Sequence, residues 1–486
     1  MTCSPVQVEL HEIDRMSNRD GEDRFGVAQT VDQSDLNDSE FRGGGTAAPR
    51  GPYHDSLPRA TRFYQSFLLV SGFMMAFHVI GLNSSYGVFQ QFYTSTQTNI
   101  DDGKGQDALV SLVGTIGTGL TWSGSIFVNP LISSRLNIKI VALSGAFFMS
   151  LGLFLASFAT KLWHLFLTQA LLYGLGASMY YFPILAITPL YFDRHRGFAM
   201  GIVLAGSSLG GLVFAPVQQY LLDHHGIQWT LRILGIWNFA VGIPVSMVIQ
   251  RYPSSFRGGS EAGQRRWINT AALSKGTFWF QALGAFLQAG GNVVPIYYIV
   301  AYSVSVLSLS PSTGSMLLSV NSGVNCLSRV AMGILADYVG RQNTLIGGVV
   351  LSALSVFSLW YSAAKTRFIA FVVVYGIFAG GYNALLPTTI VEIYGLRNYA
   401  AVNGNLLFIR GLGSLFGAPL AGMILGSHAR IIGIGVGGGS SGKENLEMKF
   451  NDVVVYDGVL LVISALCVVY VRWLDAVEKR RWRWRA

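Results

Sequence analysis

The sequence predicts an all-α membrane protein of twelve transmembrane helices, arranged as two six-helix halves related by a parallel repeat. Three observations carry that prediction. Of 486 residues, 51% are hydrophobic and only 12% are charged, against about 25% charged in a soluble domain. Twelve apolar segments are long enough to cross a bilayer, which takes about 20 residues each. The segment YFDRHRGFAMGIVLAGSSLGGLVFAPV, residues 191–217, returns in outline about 203 residues later as GNLLFIRGLGSLFGAPLAG, residues 404–422.

The repeat is specific. A shift of 203 pairs Gly201 with Gly404, Leu204 with Leu407, Gly210 with Gly413, and Ala215-Pro216 with Ala418-Pro419. Its glycines fall on one helix face, and small residues let two helix backbones approach closely in lipid. A parallel repeat of this kind is a sign of a secondary transporter.

Taken in order, residues 1–62 are polar and lack an apolar run, as in a disordered cytosolic tail and unlike a signal peptide. The first six expected spans are 66–89, 108–130, 140–158, 162–187, 199–221 and 233–250, within an N-terminal half of 63–250. A polar, basic linker, 251–275, follows. The second six are 277–302, 312–336, 343–363, 369–391, 400–427 and 453–472, within a C-terminal half of 276–473. Residues 474–486 form a basic tail whose Trp and Arg residues suit an interfacial anchor or a solvated stop-transfer end. With both tails placed in the cytosol, Lys and Arg number 24 inside against 8 outside. This is the distribution of a multi-pass protein with both termini cytosolic, with the plasma membrane as default location. The net charge of +9 thus reads as topology and not as nucleic-acid binding.

Several chemistries are excluded. Cys3, Cys326 and Cys467 are too few and scattered for a disulfide framework. Gly433–Gly438 fits G-x-G-x-x-G and Gly437–Lys443 fits G-x-x-x-x-G-K, but Glu444 stands where a phosphate loop needs Ser or Thr. Neither stretch lies in a strand–turn–helix context, so 428–452 is expected to be a Gly-rich outer loop with no nucleotide. No metal cluster, cofactor site or catalytic constellation is legible, and an enzyme is not expected. The expected partners are a small organic solute and the lipid bilayer.

The candidate site residues are the polar groups inside apolar spans. Arg329 lies in the eighth span, where a charge costs roughly 2.5–3.5 kcal/mol unless it meets a cavity or partner. Its guanidinium suits a carboxylate, and Asn325 and Asn321 precede it by four and eight residues on roughly one face. The alternative is a structural arginine bonded to carbonyls of a neighbouring helix. Arg410, in the eleventh span, is a second anion contact or a lock between the eighth and eleventh helices. Asn83, Tyr181, Asn292, Tyr298 and Asn383 are further cavity-lining candidates, each with a helix–helix hydrogen bond as the alternative. His78 is the candidate for proton coupling, having the only side chain near a midplane with a reference pKa near 7, or else a packing residue. Glu392 and Asp457 are read as near span ends.

Four stretches stand out together: Gly81-Leu-Asn-Ser-Ser-Tyr-Gly-Val-Phe89, the YFDRHRGFAMGIVLAGSSLGG stretch, Ser328-Arg-Val-Ala-Met-Gly-Ile-Leu-Ala-Asp-Tyr-Val-Gly-Arg341 and the block 375–422. On these motifs the chain resembles the monocarboxylate transporter family of the major facilitator superfamily, in particular its fungal branch. The resemblance covers roughly 64–475. It implies a major facilitator fold around a central cavity, alternating access by rocking of the halves, and transport of small organic anions, often with protons. It places the solute among spans one, four, seven, eight, ten and eleven, and a gating role on the charged cytosolic turns, here Asp337, Arg341, Arg194 and Arg196. Where proton-coupled animal members carry a lysine in the first span this chain has Asn83. Where they carry an aspartate one turn before the eighth-span arginine it has Asn325. The expectation is a secondary-active or facilitative carrier of a carboxylate-bearing solute, leaning to export of a cell-made metabolite. Proton-coupled uptake of simple monocarboxylates and a non-transporting nutrient sensor are the alternatives.

Overall fold

The structure, a computed structural model, describes residues 61–96, 98, 100–133, 137–192, 196–249, 275–431 and 440–479, all within one compact unit, Ser56–Ala486. The expected tail 1–62, apart from its last two residues, and most of the linker 251–275 lie outside the described residues. So do Arg194 and the glycine stretch 432–439. No strand occurs among the described residues.

The helices are α1 (Arg62–Thr94), α2 (Asp107–Asn129), α3 (Ile138–Ala156) and α4 (Leu162–Ile187). The segment Arg196–Met247 is two helices, α5 and α6, which meet at Gly226 (φ 72°, ψ 173°). That left-handed backbone is open to glycine at no steric cost. Then come α7 (Gly276–Ser305), α8 (Pro311–Val339), α9 (Arg341–Trp360), α10 (Lys365–Tyr394), α11 (Leu396–Ile431) and α12 (Ser440–Glu478).

Among the described residues, ten helices are long and apolar enough to cross a membrane. The count differs from the expected twelve for two physical reasons. The Gly226 turn joins α5 and α6 into one continuous segment. The helix α8 is too polar on average to qualify, because it is two-faced. Leu327, Val330 and Ile334 lie on its exposed side, while Asn321, Ser322 and Ser328 are buried. A helix that turns apolar groups to lipid and polar groups inward needs no high mean hydropathy.

Other exposed apolar side chains, among them Phe63, Ile140, Phe147, Trp163, Ile236, Met423 and Leu466, ring the outside as a lipid-facing surface does. The chain is a multi-pass membrane protein.

Packing follows the repeat. Within the first half α1 lies on α5, and α3 packs on α4 and on the Arg196–Met247 segment; within the second, α7 lies on α11 and α12, and α8 on α10. The paired glycines make the same contact twice. A Cβ on Gly210 would sit 2.2 Å from the Phe77 carbonyl oxygen of α1, and one on Gly413 2.1 Å from the Phe286 carbonyl oxygen of α7. The two groups of helices meet along α2–α11, α5–α8 and α1–α7.

One expectation at the second half is corrected. Ser440–Asp452 is helical, where 428–452 was expected to be a loop, and continues without interruption into α12. Polar composition hid this turn-rich start from a hydropathy reading. As a result Asp457 is not near a span end; it lies inside the helix and is fully buried.

Candidate functional site

Two arginines come together between the halves, and their hydrogen bonds differ. Arg329 Nε donates to Asn325 Oδ1 (3.1 Å), and its Nη1 donates to the Leu204 carbonyl (3.1 Å) and to Ser207 Oγ (2.7 Å). Ser208 Oγ also donates to Asn325 Oδ1 (3.1 Å). Arg329 therefore ties α8 to α5 across the halves, and only Nη2 is left without a hydrogen-bond partner among the described residues.

Arg410 is less committed. Its Nη2 donates to Asn383 Oδ1 (2.5 Å) and Gln288 Oε1 (3.2 Å), and its guanidinium lies 5.3 Å from the Tyr382 ring centroid. Its Nε and Nη1 donate to nothing among the described residues. A guanidinium over an aromatic face is held by the ring quadrupole without using its N–H groups.

Tyr181 of α4 lies within electrostatic reach of both arginines and of Tyr399. The Trp122 ring of α2 stands edge-on to it at 5.6 Å. Arg329 and Arg410 are themselves close enough to repel, and no Asp or Glu among the described residues acts on either. Two cations in a low-dielectric interior with no carboxylate between them make a site of positive potential, walled by aromatic rings.

The remaining candidates divide. Asn383 holds Arg410 directly. Asn292 is half-buried and sits four residues after Gln288, on the same α7 face. Asn83 donates to Thr121 Oγ1 at 3.4 Å, within the first half. Asn321 turns away from Arg329 and donates to the Val372 carbonyl of α10 at 2.8 Å, a tie within the second half. Tyr298 is buried and donates to the Ala418 carbonyl at 3.1 Å, between α7 and α11.

His78 lies far from the arginines in its surroundings. It is buried among Phe77, Phe214 and Trp237, with Nδ1 against the Met74 carbonyl at 2.6 Å and Nε2 sealed without a partner. Asp337 and Arg341 are exposed. Arg341 lies within electrostatic reach of Glu392 at the end of α10. Arg196 opens the α5 segment.

Sequence reasoning missed the residues that hold the arginines. Ser207 and Ser208 read only as small residues, and Gln288 as one polar residue in an apolar run. The spacing of four between Gln288 and Asn292 was the available signal. Also missed was a clasp at the end of the second half. There Gln342 Nε2 donates to Asp475 Oδ2 (3.1 Å), and Lys479 Nζ bonds Asp475 (2.8 Å) and the Glu392 carbonyl (3.0 Å).

The halves are latched at the end where α1, α2 and α7 meet. Tyr297 OH and Thr118 Oγ1 are 3.1 Å apart, and the Tyr86 and Tyr297 rings are 5.1 Å apart. Beyond Leu204 and Arg329 the α5–α8 seam is locally open, since a Cβ on Gly201 or Gly333 would meet nothing within 4 Å among the described residues, while α2 and α11 stay bonded through Ser125 Oγ and the Gly404 carbonyl (3.3 Å). Thr118→Val removes the cross-half hydrogen bond, worth about 0.5–1.5 kcal/mol. The expected result is a shift of roughly 2–10-fold toward the state open at the latched end. Distance measurements between spin labels on α1 and α7 read that shift.

A family model described as Major Facilitator Superfamily matches residues 65–418, with a second match over 282–481. The MFS-type transporter pynF of Aspergillus niger is 28% identical over 386 residues, covering 77% of this chain and 85% of that protein. The agnestins efflux protein AgnL12 of Paecilomyces divaricatus is 26% identical, covering 76% and 83%. Monocarboxylate transporter 13 of Rattus norvegicus is 28% identical, covering 74% and 81%. Among solved structures, a bacterial homolog of the human lysosomal transporter Spinster, inward-facing and unoccupied, matches with a TM-score of 0.67 at 18% identity. It covers 87% of this chain and all of that one.

Proposed function

Because the chain belongs to the Major Facilitator Superfamily, we propose that this transporter exports a small organic acid made by its own cell, carried as its anion. The observation that carries the reading is the arginine pair with no carboxylate among the described residues acting on it. A permanent positive site in a membrane interior is balanced when an anion arrives. Arg410, with Nε and Nη1 open, is the principal anchor. Arg329, already bonded to α5, reports binding to the half–half interface through its open Nη2. Tyr181, Trp122 and Tyr399 supply flat apolar surface for the body of the solute, and Asn383, Gln288 and Asn292 supply polar edges.

One relative, AgnL12, is named as an efflux protein, which supports export over uptake. The sealed, aromatic surroundings of His78 speak against that residue as a proton carrier. Movement follows from the two ends being unlike. The latched end opens as the open part of the α5–α8 seam closes, so the site faces one side at a time. The expected orientation keeps both termini in the cytosol of a plasma-membrane carrier, the 63–250 and 276–473 halves joined by the 251–275 linker.

The test is counterflow into proteoliposomes of a panel of aromatic and aliphatic carboxylates, each paired with its neutral amide, read by mass spectrometry. At least one carboxylate is expected to accumulate in exchange while its amide does not. If a preparation shown to be folded carries no carboxylate, or carries amides equally, the reading fails.

A further inference from the structure

The second half contains a carboxyl group that the arginine site does not use. Asp457 of α12 is fully buried, and neither Oδ1 nor Oδ2 has a hydrogen-bond partner. No charged group among the described residues acts on it. Its wall on α7 is Gly291, where an added Cβ would stand 3.2 Å from Asp457 Oδ1. The glycine leaves room for the carboxyl and offers it no side chain. From α10, Tyr375 lies within electrostatic reach of Asp457, and its hydroxyl is also buried without a partner. From α12 itself the neighbour is Tyr456. The α9 face presents Phe357, which touches the adjacent Gly458. On α7, Tyr298 and Tyr302 spend their hydroxyls on the carbonyls of Ala418 and Ala363. The wall beyond Tyr375 is aromatic, with Phe371 5.3 Å from Tyr375 and Trp360 stacked on Phe371 at 4.9 Å.

An ionised carboxylate buried in such a place, with no cation or hydrogen-bond donor on it among the described residues, is far more costly than the neutral acid. We propose that Asp457 is a proton-binding site of the transporter, loaded in this conformation and discharged when α7 and α12 separate enough to admit water. The placement links it to the solute. On its other face α7 carries Gln288, which bonds Arg410, and α7 is locked to α11 where a Cβ on Gly417 would lie 2.1 Å from the Gly290 carbonyl oxygen. A change in the α7–α12 contact therefore moves one wall of the arginine site. The proton is taken from water on one side of the membrane as Asp457 becomes neutral and returned to water on the other as it ionises. That coupling rests on the transport reading above; the protonation of Asp457 does not.

Two measurements test it separately. The first is infrared difference spectroscopy of the purified full chain in nanodiscs, wild type minus Asp457→Asn, with no solute. A carbonyl band of a protonated carboxylic acid is expected at neutral pH in wild type and in Asp457→Glu, and lost in Asp457→Asn. If the difference shows an ionised carboxylate instead, the proposal is overturned. The second uses naphthalenesulfonate, an anion that carries no proton of its own, with a pH dye inside proteoliposomes. Wild type is expected to acidify the lumen as the anion enters. Asp457→Asn keeps anion exchange but loses the acidification. Acidification by Asp457→Asn equal to wild type overturns the coupling. Absence of naphthalenesulfonate entry in folded wild type that also carries no carboxylate of the panel contradicts the transport reading and leaves the infrared result to decide the proton site.

Discussion

Replacing Arg410 by Gln is expected to weaken binding of a carboxylate solute roughly 10–100-fold. The size follows from the loss of one charge-assisted hydrogen bond, about 1.5–3 kcal/mol, at about 1.4 kcal/mol per tenfold. Its neighbours tolerate the change, because Gln288 and Asn383 are neutral amides that can rotate to satisfy one another. Folding is therefore expected to survive, and the loss appears as affinity. Arg329→Gln is expected to behave differently. Its Nη1 holds the Leu204 carbonyl and Ser207 across the halves, so the substitution loosens the α5–α8 seam. Turnover should fall more than affinity. Equilibrium binding and counterflow rates on the same preparations separate the two. Equal losses of affinity in both variants would contradict the division of roles.

The second large effect comes from two glycines on one helix. Gly413 faces its own half. Its added Cβ would strike the Phe286 carbonyl oxygen at 2.1 Å, a backbone atom that no rotamer change can move. Gly413→Val forces α7 and α11 apart, and overpacking of this kind costs about 1–3 kcal/mol or more. The expected result is a sharp loss of monodisperse protein and a lower unfolding temperature. Gly411 faces the other half, where a Cβ would meet Ser123 N at 2.6 Å and the Gly119 carbonyl oxygen at 2.7 Å. Gly411→Val should leave each half folded and separate α2 from α11. Size-exclusion profiles and thermal unfolding distinguish the two variants, and a label pair on α2 and α11 reads the separation. If Gly411→Val unfolds as readily as Gly413→Val, the two contacts do not differ in the way described.

Gly413 also shows, with Gly210, what a sequence can reveal. Gly210 and Gly413 stood out at a shift of 203, and they make the same backbone contact in both halves. Close approach in lipid demands small residues at fixed spacing, so the packing leaves a periodic trace. The arginines were visible for a similar reason, since a charge inside an apolar run is rare. Their partners were not. Leu204 contributes a backbone carbonyl, which every residue has. Ser207 and Ser208 were indistinguishable from packing residues. Asn321 and Arg329 are eight residues apart, and the rotation of roughly 80° left over after two turns sends Asn321 to α10. Asp457 was misplaced because the polar stretch 440–452 is helical, and no hydropathy reading extends a span through Lys443, Glu444 and Glu447.

The most direct measurement is a structure of the chain determined with a bound carboxylate drawn from the counterflow panel. The predicted result is solute between the halves, its carboxylate on the free N–H groups of Arg410 or Arg329 and its body against Tyr181 and Trp122. Solute found elsewhere, such as beside His78, with both arginines still bonded only to Ser207, Leu204, Asn325, Asn383 and Gln288, would contradict it.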